Sequence, residues 1–327
     1  MKNTLLFSAY LLFGISSASS QTTFVIDDFS DQYYGQLFIA DTSSVFSPGW
    51  VAILDKKSDQ QLIKLDSEEL YYTQRDGKVR SNIKEIPYGE QSQILYEDYN
   101  FDGVPDLALM DGQNSCYHGP SFQIYLANTE GFQLSPEFTA LAQENCGMFA
   151  VDPKTKSINT MTKSGCCWHQ MAEYKVENNR PYPINIIEEG LSTSGLFWDY
   201  LEQTLKHGKM ETKQYQTIAF EINEDNQLLE FEFGNNKKMQ IIRDIAVLYC
   251  FITDANGHIE LLYTDNFKYS YDENKLFFED GQTAYTVFDD HIVIRKGQKI
   301  RQMKAKKNSI NGSLSEIKNF NIENIIE

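Results

Sequence analysis

The amino-acid sequence predicts an all-β protein, and three observations lead to this fold class. Short segments alternate apolar and polar side chains, which is the period of a half-buried strand. Turn-forming pairs such as Asp76-Gly77 and Glu130-Gly131 separate these segments. Aromatic residues make up 13% of the chain, and they favour pleated surfaces over helices. Strands are expected at residues 35–39, 50–54, 61–65, 122–126, 218–222 and 228–233.

The first residues have the layout of a secretory signal peptide. Lys2 precedes an apolar run from Leu5 to Ile15, and small residues follow from Ser16 to Ser20. A charged start, a short apolar core and a small-residue cleavage zone are the three parts of such a signal. The apolar run is short for a membrane span. We therefore expect residues 1–20 to be removed, and the mature chain to be periplasmic or secreted without inserting into a membrane.

Four segments are expected after the signal peptide. Residues 21–190 are predicted to form the first β domain, and residues 191–215 a linker. The linker contains a helix predicted over Phe197–Lys206, because the Ser and Thr residues before it resemble a capping region. Residues 216–304 are predicted to form a smaller antiparallel β module, which fits a sandwich, a barrel or a propeller. The polar residues 305–327 are expected to be a flexible tail.

The chain is strongly acidic, with a formal net charge of −17 at pH 7. This charge argues against nucleic acid and anionic membrane surfaces as partners, because both are negatively charged. It favours a basic partner, or it serves solubility alone. The sequence has no Gly-rich phosphate loop, no His-Glu-x-x-His and no Gly-x-Ser-x-Gly. We therefore expect a protein that is not an enzyme.

Five cysteines follow the signal peptide, and in an exported protein they are disulfide candidates first. Their odd number leaves at least one without an intramolecular partner. Cys116 with Cys146 is one pairing, but either cysteine of the adjacent pair competes for the same partners, and the sequence leaves the connectivity open. The disulfide candidates are Cys116, Cys146, Cys166 and Cys167.

Two other uses of these cysteines are zinc binding and nucleophilic catalysis. Zinc is an alternative if the two loops meet, but neither loop has the Cys-x-x-Cys spacing of zinc sites. The zinc ligands would be Cys116, His118, Cys166, Cys167 and His169. The stretch Gly165–Trp168 is similar to the nucleophile region of papain-like proteases. That region should open a helix near the mature N-terminus, whereas this one lies in mid-chain before a strand-like segment.

One loop carries oxygen side chains at the spacing of a calcium site. Within 98–106 they occupy the first, third, fifth and ninth positions, and Gly103 stands at the sixth. A tight loop of this alternation supplies the six to eight oxygens that Ca²⁺ takes. The twelfth position is Leu109, where an EF-hand has a bidentate Glu, and a strand is predicted at 107–110. We predict a structural Ca²⁺ in a strand-loop-strand site, the alternative being a polar turn without metal. The ligands would be Asp98, Asn100, Asp102, the Val104 carbonyl and Asp106.

The block from Ile94 to Tyr174 resembles a family of bacterial periplasmic immunity proteins with a propeller-like β domain. The resemblance is carried by the Asp-x-Asn-x-Asp-Gly-x-x-Asp loop and by the order of the segments after it. Those segments are 107–109, 122–126, 149–152, 163–165, Trp168-His169 and Tyr174. The resemblance implies that 21–190 form a propeller-like domain with a calcium loop. It also implies binding and inhibition of a peptidoglycan-degrading, lysozyme-like effector from a secretion system. The cysteine-rich loops depart from the family pattern, so the resemblance does not assign inhibitory contacts to residues of this chain.

Four aromatic or imidazole side chains are the candidates for binding a partner. They lie in predicted loops, and exposed aromatic side chains commonly anchor protein interfaces. The alternative is that they pack at the rim of the β core. A second function is also open, namely a calcium-stabilised adhesion or carbohydrate-binding module. The partner-binding candidates are Tyr117, His118, Trp168 and His169.

Overall fold

The chain divides into two compact units. The structure is a computed structural model that describes residues 21–86 and 89–326. Unit 1 consists of the residues up to Lys163 together with Met171–Ile184, and unit 2 of Ser164–Gln170 together with the residues from Asn185 onward. Antiparallel strands dominate both units, so the all-β prediction is confirmed. The signal peptide predicted at residues 1–20 lies outside the described residues.

Unit 1 is built from short antiparallel strands and one helix. The strands are β1 (Thr22–Ile26), β2 (Tyr33–Ile39), β3 (Ser47–Asp55), β4 (Gln61–Leu70), β5 (Gln74–Arg75), β6 (Lys78–Val79), β7 (Ile94–Glu97), β8 (Asp106–Ser115), β9 (Gly119–Asn128), β10 (Gly131–Leu134), β11 (Ala150–Asp152) and β12 (Ser157–Ser164). The helix is α1 (Pro136–Glu144). One sheet has the order β1-β2-β3-β4 and another the order β10-β9-β8-β7. β5 pairs with β6, and β11 with β12.

The apolar core of unit 1 follows from the strand patterns. In β2 every second residue, including Leu37 and Ile39, is buried, because successive side chains of a strand point to opposite faces. The start of β8 is buried on both faces. Helix α1 starts after Ser135, whose hydroxyl caps it, and the helix packs Phe138 against Phe149 in the same core. This core holds the turn between β8 and β9 and the loop between β7 and β8 in place.

Unit 2 is built from longer hairpins. Two further strands, β13 (Trp168–Glu177) and β14 (Arg180–Leu191), contribute residues to both units, as does β12 through its last residue, Ser164. The others are β15 (Phe197–Lys206), β16 (Lys209–Ile218), β17 (Gln227–Glu232), β18 (Lys238–Asp244), β19 (Val247–Thr253), β20 (Ile259–Tyr263), β21 (Phe267–Ser270), β22 (Lys275–Asp280), β23 (Thr283–Val287), β24 (His291–Lys296), β25 (Lys299–Lys304), β26 (Asn311–Gly312) and β27 (Ile325–Ile326). β15 lies between β14 and β16. The two other sheets have the orders β20-β19-β18-β17-β26 and β25-β24-β23-β22-β21-β27.

The helix predicted over Phe197–Lys206 was wrong, because this segment is strand β15. It pairs along its whole length with β16, from Phe197 opposite Ile218 to Lys206 opposite Lys209. The hydroxyl of Ser192, expected to cap a helix, accepts a hydrogen bond from the Phe197 backbone N–H across a turn, at 3.2 Å. Neighbours on both sides satisfy the backbone of this segment, and such tertiary pairing overrides a local capping signal.

The predicted flexible tail is also corrected as far as residue 326. After β25 the chain forms β26, a 3-10 segment at Leu314–Asn319, and β27, which pairs in parallel with β21. Leu314 and Ile317 are buried in the core of unit 2. Two apolar side chains three residues apart fall on one side of a 3-10 turn, which is why a mostly polar segment packs. In the described ranges 21–86 and 89–326, no helix is both long and apolar enough to cross a membrane.

Candidate functional site

The predicted calcium loop joins two strands, as the sequence indicated. β7 ends at Glu97 and β8 begins at Asp106, and these two residues pair across the hairpin. The loop needs two left-handed residues, Phe101 (φ 63°) and Gly103 (φ 92°). A Cβ at Gly103 would meet no neighbouring atom, so this glycine serves the backbone conformation rather than space.

Backbone N–H groups of the loop donate hydrogen bonds to the loop's own carboxylate side chains. The two carboxylate oxygens of Asp98 accept hydrogen bonds from the N–H groups of Asp102 (3.1 Å) and Gly103 (2.9 Å). The Asp102 carboxylate accepts from the Val104 N–H at 2.8 Å and from the Asn100 amide at 2.9 Å. Such bonds fix short acidic side chains in a tight turn, which gathers their negative charge in one place.

Asp106 is the most deeply buried member of the set. Its side chain accepts hydrogen bonds from the N–H groups of Tyr99 and Ala127, both at 2.8 Å. The pKa of Asp106 is raised to about 6, mainly because the carboxylate is buried; the charges of Asp102 and Asp98 contribute to the rise, while the two N–H donors oppose it. A cation bound at the loop would favour the ionised carboxylates, because an opposite charge lowers the pKa of an acid.

The donor set of the loop suits a hard cation. It offers carboxylate and amide oxygens, and each carboxylate oxygen keeps lone pairs beyond the one that accepts an N–H. Val104 is 51% exposed at the mouth of the turn. Within the part of the chain that the structure describes, however, no three His, Cys, Asp or Glu side chains are grouped as they would be around a metal ion. The residue types of the loop therefore fit Ca²⁺.

Two of the four partner-binding candidates form a tight turn in unit 1. Tyr117 and His118 lie in a 3-10 turn between β8 and β9, and both have positive φ values. The Tyr117 side chain is 59% exposed. The His118 ring packs edge-on against Phe46 at 5.4 Å, and its Nε2 lies 3.2 Å from the Glu69 carboxylate.

Sequence reasoning missed the neighbours of this turn. Val45 and Phe46, in the loop before β3, are 79% and 40% exposed. They border a groove of about 770 Å³ that also includes Tyr71 and Glu90. The sequence did offer a signal for this surface, namely two adjacent apolar residues inside a Ser-rich loop. Turns that only face solvent are usually made of polar residues and glycine. We call Val45, Phe46, Tyr117 and His118 the Tyr117 patch.

The other two candidates belong to unit 2 and start a strand. Trp168 and His169 are the first residues of β13, so their predicted place in a loop was wrong. They point to opposite faces because they are consecutive in a strand. His169 Nδ1 lies 3.1 Å from the Glu189 carboxylate. Trp168 lies beside Gly190, where an added Cβ would be 3.7 Å from the indole.

The structure settles the pairing of the cysteines. Cys116 bonds Cys146, with their Cα atoms 4.8 Å apart, and thereby ties the Tyr117 turn to the residues after α1. Cys166 bonds its own neighbour Cys167, a pairing that the sequence analysis did not include. Cys250 is the free cysteine of the described chain; it is buried in the core of unit 2, and burial raises the pKa of its thiol. The expectation of at least one disulfide with one cysteine left over is confirmed.

Comparisons with known proteins reveal distant structural similarity. No protein-family model and no curated protein matches the sequence. A Xanthomonas type IV secretion system related protein is 17% identical, with a TM-score of 0.47 over 60% of this chain and 94% of that one. Prolyl oligopeptidase B from Galerina marginata is 6% identical, with a TM-score of 0.23 over 89% and 42%. A puromycin-hydrolyzing peptidase of Mycobacterium tuberculosis is 10% identical, with a TM-score of 0.21 over 89% and 53%. These values do not assign the chain to a family.

Proposed function

We propose that this chain is a periplasmic immunity protein that binds and inhibits a peptidoglycan-degrading, lysozyme-like effector, without being an enzyme itself. The observation that carries the proposal is the Tyr117 patch. It presents an exposed tyrosine on a turn fixed by the Cys116–Cys146 disulfide, and beside it two further exposed apolar side chains, Val45 and Phe46, from the loop before β3. Exposed aromatic side chains on a rigid support are typical anchors of inhibitor interfaces.

The physical properties of the patch support inhibition by docking. A turn closed by a disulfide and by a Tyr117–Lys163 cation–π contact at 5.0 Å loses little conformational entropy when it binds. Glu69 and Glu90 lie beside the patch, and the whole chain carries a net charge of −17. Such charge accelerates encounter with a basic hydrolase by electrostatic steering.

Inhibition of muramidase activity tests the proposal. The mature chain should inhibit a lysozyme-like hydrolase from the secretion repertoire of its own cell at a near-stoichiometric ratio. Deletion of its gene should make the cell sensitive to the same hydrolase. The measurements are turbidity loss of a peptidoglycan suspension during titration, and survival on exposure to the hydrolase. If a panel of such enzymes retains full activity and a pull-down recovers no hydrolase, the proposal is wrong and the adhesion alternative replaces it.

We also propose that the 98–106 loop binds a structural Ca²⁺. The ion would be held by the side chains of the four acidic and amide positions and by one backbone carbonyl. It would neutralise carboxylates that otherwise repel one another, which is the repulsion that acts on Asp106. These ligands are Asp98, Asn100, Asp102, Val104 and Asp106.

Chelation is expected to lower the melting temperature of unit 1. At a free Ca²⁺ concentration of about ten times Kd, binding to the native state alone stabilises by about 1.4 kcal/mol, or roughly 3–6 °C. Differential scanning calorimetry with Ca²⁺ and with a chelator measures the shift. Asp102→Ala should remove the Ca²⁺ dependence. Asp152→Ala is the matched control, because Asp152 also fixes a turn of unit 1 by accepting a backbone N–H, from Lys154 at 2.8 Å. Equal melting temperatures of the parent chain with and without Ca²⁺ would contradict the site.

A further inference from the structure

Unit 2 contains a groove that the proposed function does not use. It has a volume of about 620 Å³, within the range of small-molecule sites, and lies on β13, β14, β15 and β16. The residues that line it come from these strands and from β20, and all belong to unit 2. Three acidic residues line the groove, and among its described lining residues there is no Lys or Arg.

Strand register places one row of side chains across the groove. Gly190 of β14 is opposite Asp199 of β15, which is opposite Gln216 of β16. Trp168 of β13 extends the row, because its indole lies beside Gly190. The Gln216 amide donates to the Asp199 carboxylate at 2.6 Å, which holds both side chains in position.

A second row runs parallel to the first on the same face. Glu188, Leu201 and Gln214 are consecutive cross-strand partners, two residues away from the first row on each strand. Gln170 completes this row, since its amide donates to the Glu188 carboxylate at 2.9 Å. The face therefore carries an indole at one side, and hydrogen-bonding amides and carboxylates around the apolar side chain of Leu201 over the rest.

Gly190 opens the floor of the groove beside the indole. Because this position has no side chain, a ligand can reach the sheet between Trp168 and Asp199. Its backbone is not in the left-handed region, and a Cβ there would make only an ordinary contact. Neither backbone strain nor close packing requires glycine at this position. What glycine provides here is space above the sheet beside the indole.

We propose that this groove binds an uncharged oligosaccharide, with one pyranose ring stacked on Trp168. The C–H bonds on one face of a pyranose carry partial positive charge and suit the negative face of an aromatic ring. Its hydroxyl groups both donate and accept, so they match the carboxylates of Glu188 and Asp199 and the amides of Gln214 and Gln216. Acidic sugars are disfavoured, because the lining is itself acidic. This inference is independent of the proposed inhibition, which uses the Tyr117 patch in unit 1.

Titration with defined oligosaccharides tests the inference. The probes are cellotetraose and tetra-N-acetylchitotetraose, and tetragalacturonate is the acidic control. Binding is followed by calorimetry and by the change in Trp168 fluorescence, in a chain whose other tryptophans, Trp50 and Trp198, are replaced by Phe. At least one neutral probe should saturate the site, and tetragalacturonate should bind at least tenfold more weakly.

Variants locate the site. Trp168→Ala and Gly190→Val should each weaken binding at least tenfold, the first by removing the stacking surface and the second by filling the floor. Gln216→Ala should weaken binding with an unchanged melting temperature. This variant therefore tests the site even if Trp168→Ala fails to fold. Trp198→Ala is the matched control, since Trp198 lies on β15 next to Asp199 and faces the other side of the sheet.

Three results would overturn the inference. They are the absence of saturation by either neutral probe, undiminished binding by all three groove variants, and release of reducing ends from the probes. The last would assign bond cleavage rather than binding to the carboxylates Glu188 and Asp199.

Discussion

Removal of the Cys116–Cys146 disulfide is expected to lower the free energy of unfolding of unit 1 by about 3–4 kcal/mol. The bond closes a segment with a sequence separation of 30 residues, and a cross-link of this length restricts the unfolded chain. The variant Cys116→Ala/Cys146→Ala leaves no thiol at the buried Cys146 position. Urea unfolding should be followed through Trp50, the tryptophan of unit 1, in a chain whose Trp168 and Trp198 are replaced by Phe.

The adjacent pair provides the control for this prediction. Cys166 and Cys167 have a sequence separation of 1, so their bond closes almost no loop. The same entropy argument gives about 1 kcal/mol for Cys166→Ala/Cys167→Ala, and this pair belongs to unit 2. A larger loss at Trp50 in this variant than in Cys116→Ala/Cys146→Ala would contradict the loop-closure explanation. Non-reducing peptide mapping that finds Cys116 and Cys146 unlinked would contradict the pairing itself.

Replacement of Tyr117 by Ala is expected to weaken inhibition of the target hydrolase by roughly thirtyfold. Truncation of an aromatic anchor at the centre of an interface commonly costs about 2 kcal/mol or more. The side chain is 59% exposed in the free protein, so most of its surface remains for a partner to cover. Its positive φ is no more strained with Ala than with Tyr, and the fold should therefore be retained. The inhibition constant and the melting temperature are to be measured on the same preparation.

Tyr271→Ala is the matched control for this effect. Tyr271 is 61% exposed and lies between β21 and β22 in unit 2. Its removal takes away a similar aromatic surface and should leave the inhibition constant unchanged. Equal losses from both variants, or a fall in melting temperature that accounts for the loss at Tyr117, would remove the Tyr117 patch from the interface.

Local sequence patterns predicted the structural features that depend on interactions between residues close together in the chain. The alternation of β2 and the buried start of β8 report which face of each strand is covered. The loop between β7 and β8 was placed between two strands because its glycine, its short oxygen side chains and the apolar segment after it are contiguous. The acidic charge and the number of cysteines likewise need no knowledge of the fold.

The tertiary structure decided every feature that depends on pairing between distant segments. The segment 197–206 has a plausible helix start, yet hydrogen bonds to β14 and β16 on either side hold it as a strand. Trp168 was expected in a loop, and only the position of its indole beside Gly190, together with the register of β14, β15 and β16, shows that it shares a face with Asp199 and Gln216. The tail packs because Leu314 and Ile317 reach a core formed elsewhere in unit 2. Sequence by itself determined the fold class and the set of oxygen side chains in the 98–106 loop, because both depend on neighbouring residues. The disulfide pairing and the groove of unit 2 depend on which segments meet, and that is settled by the free energy of the folded chain as a whole.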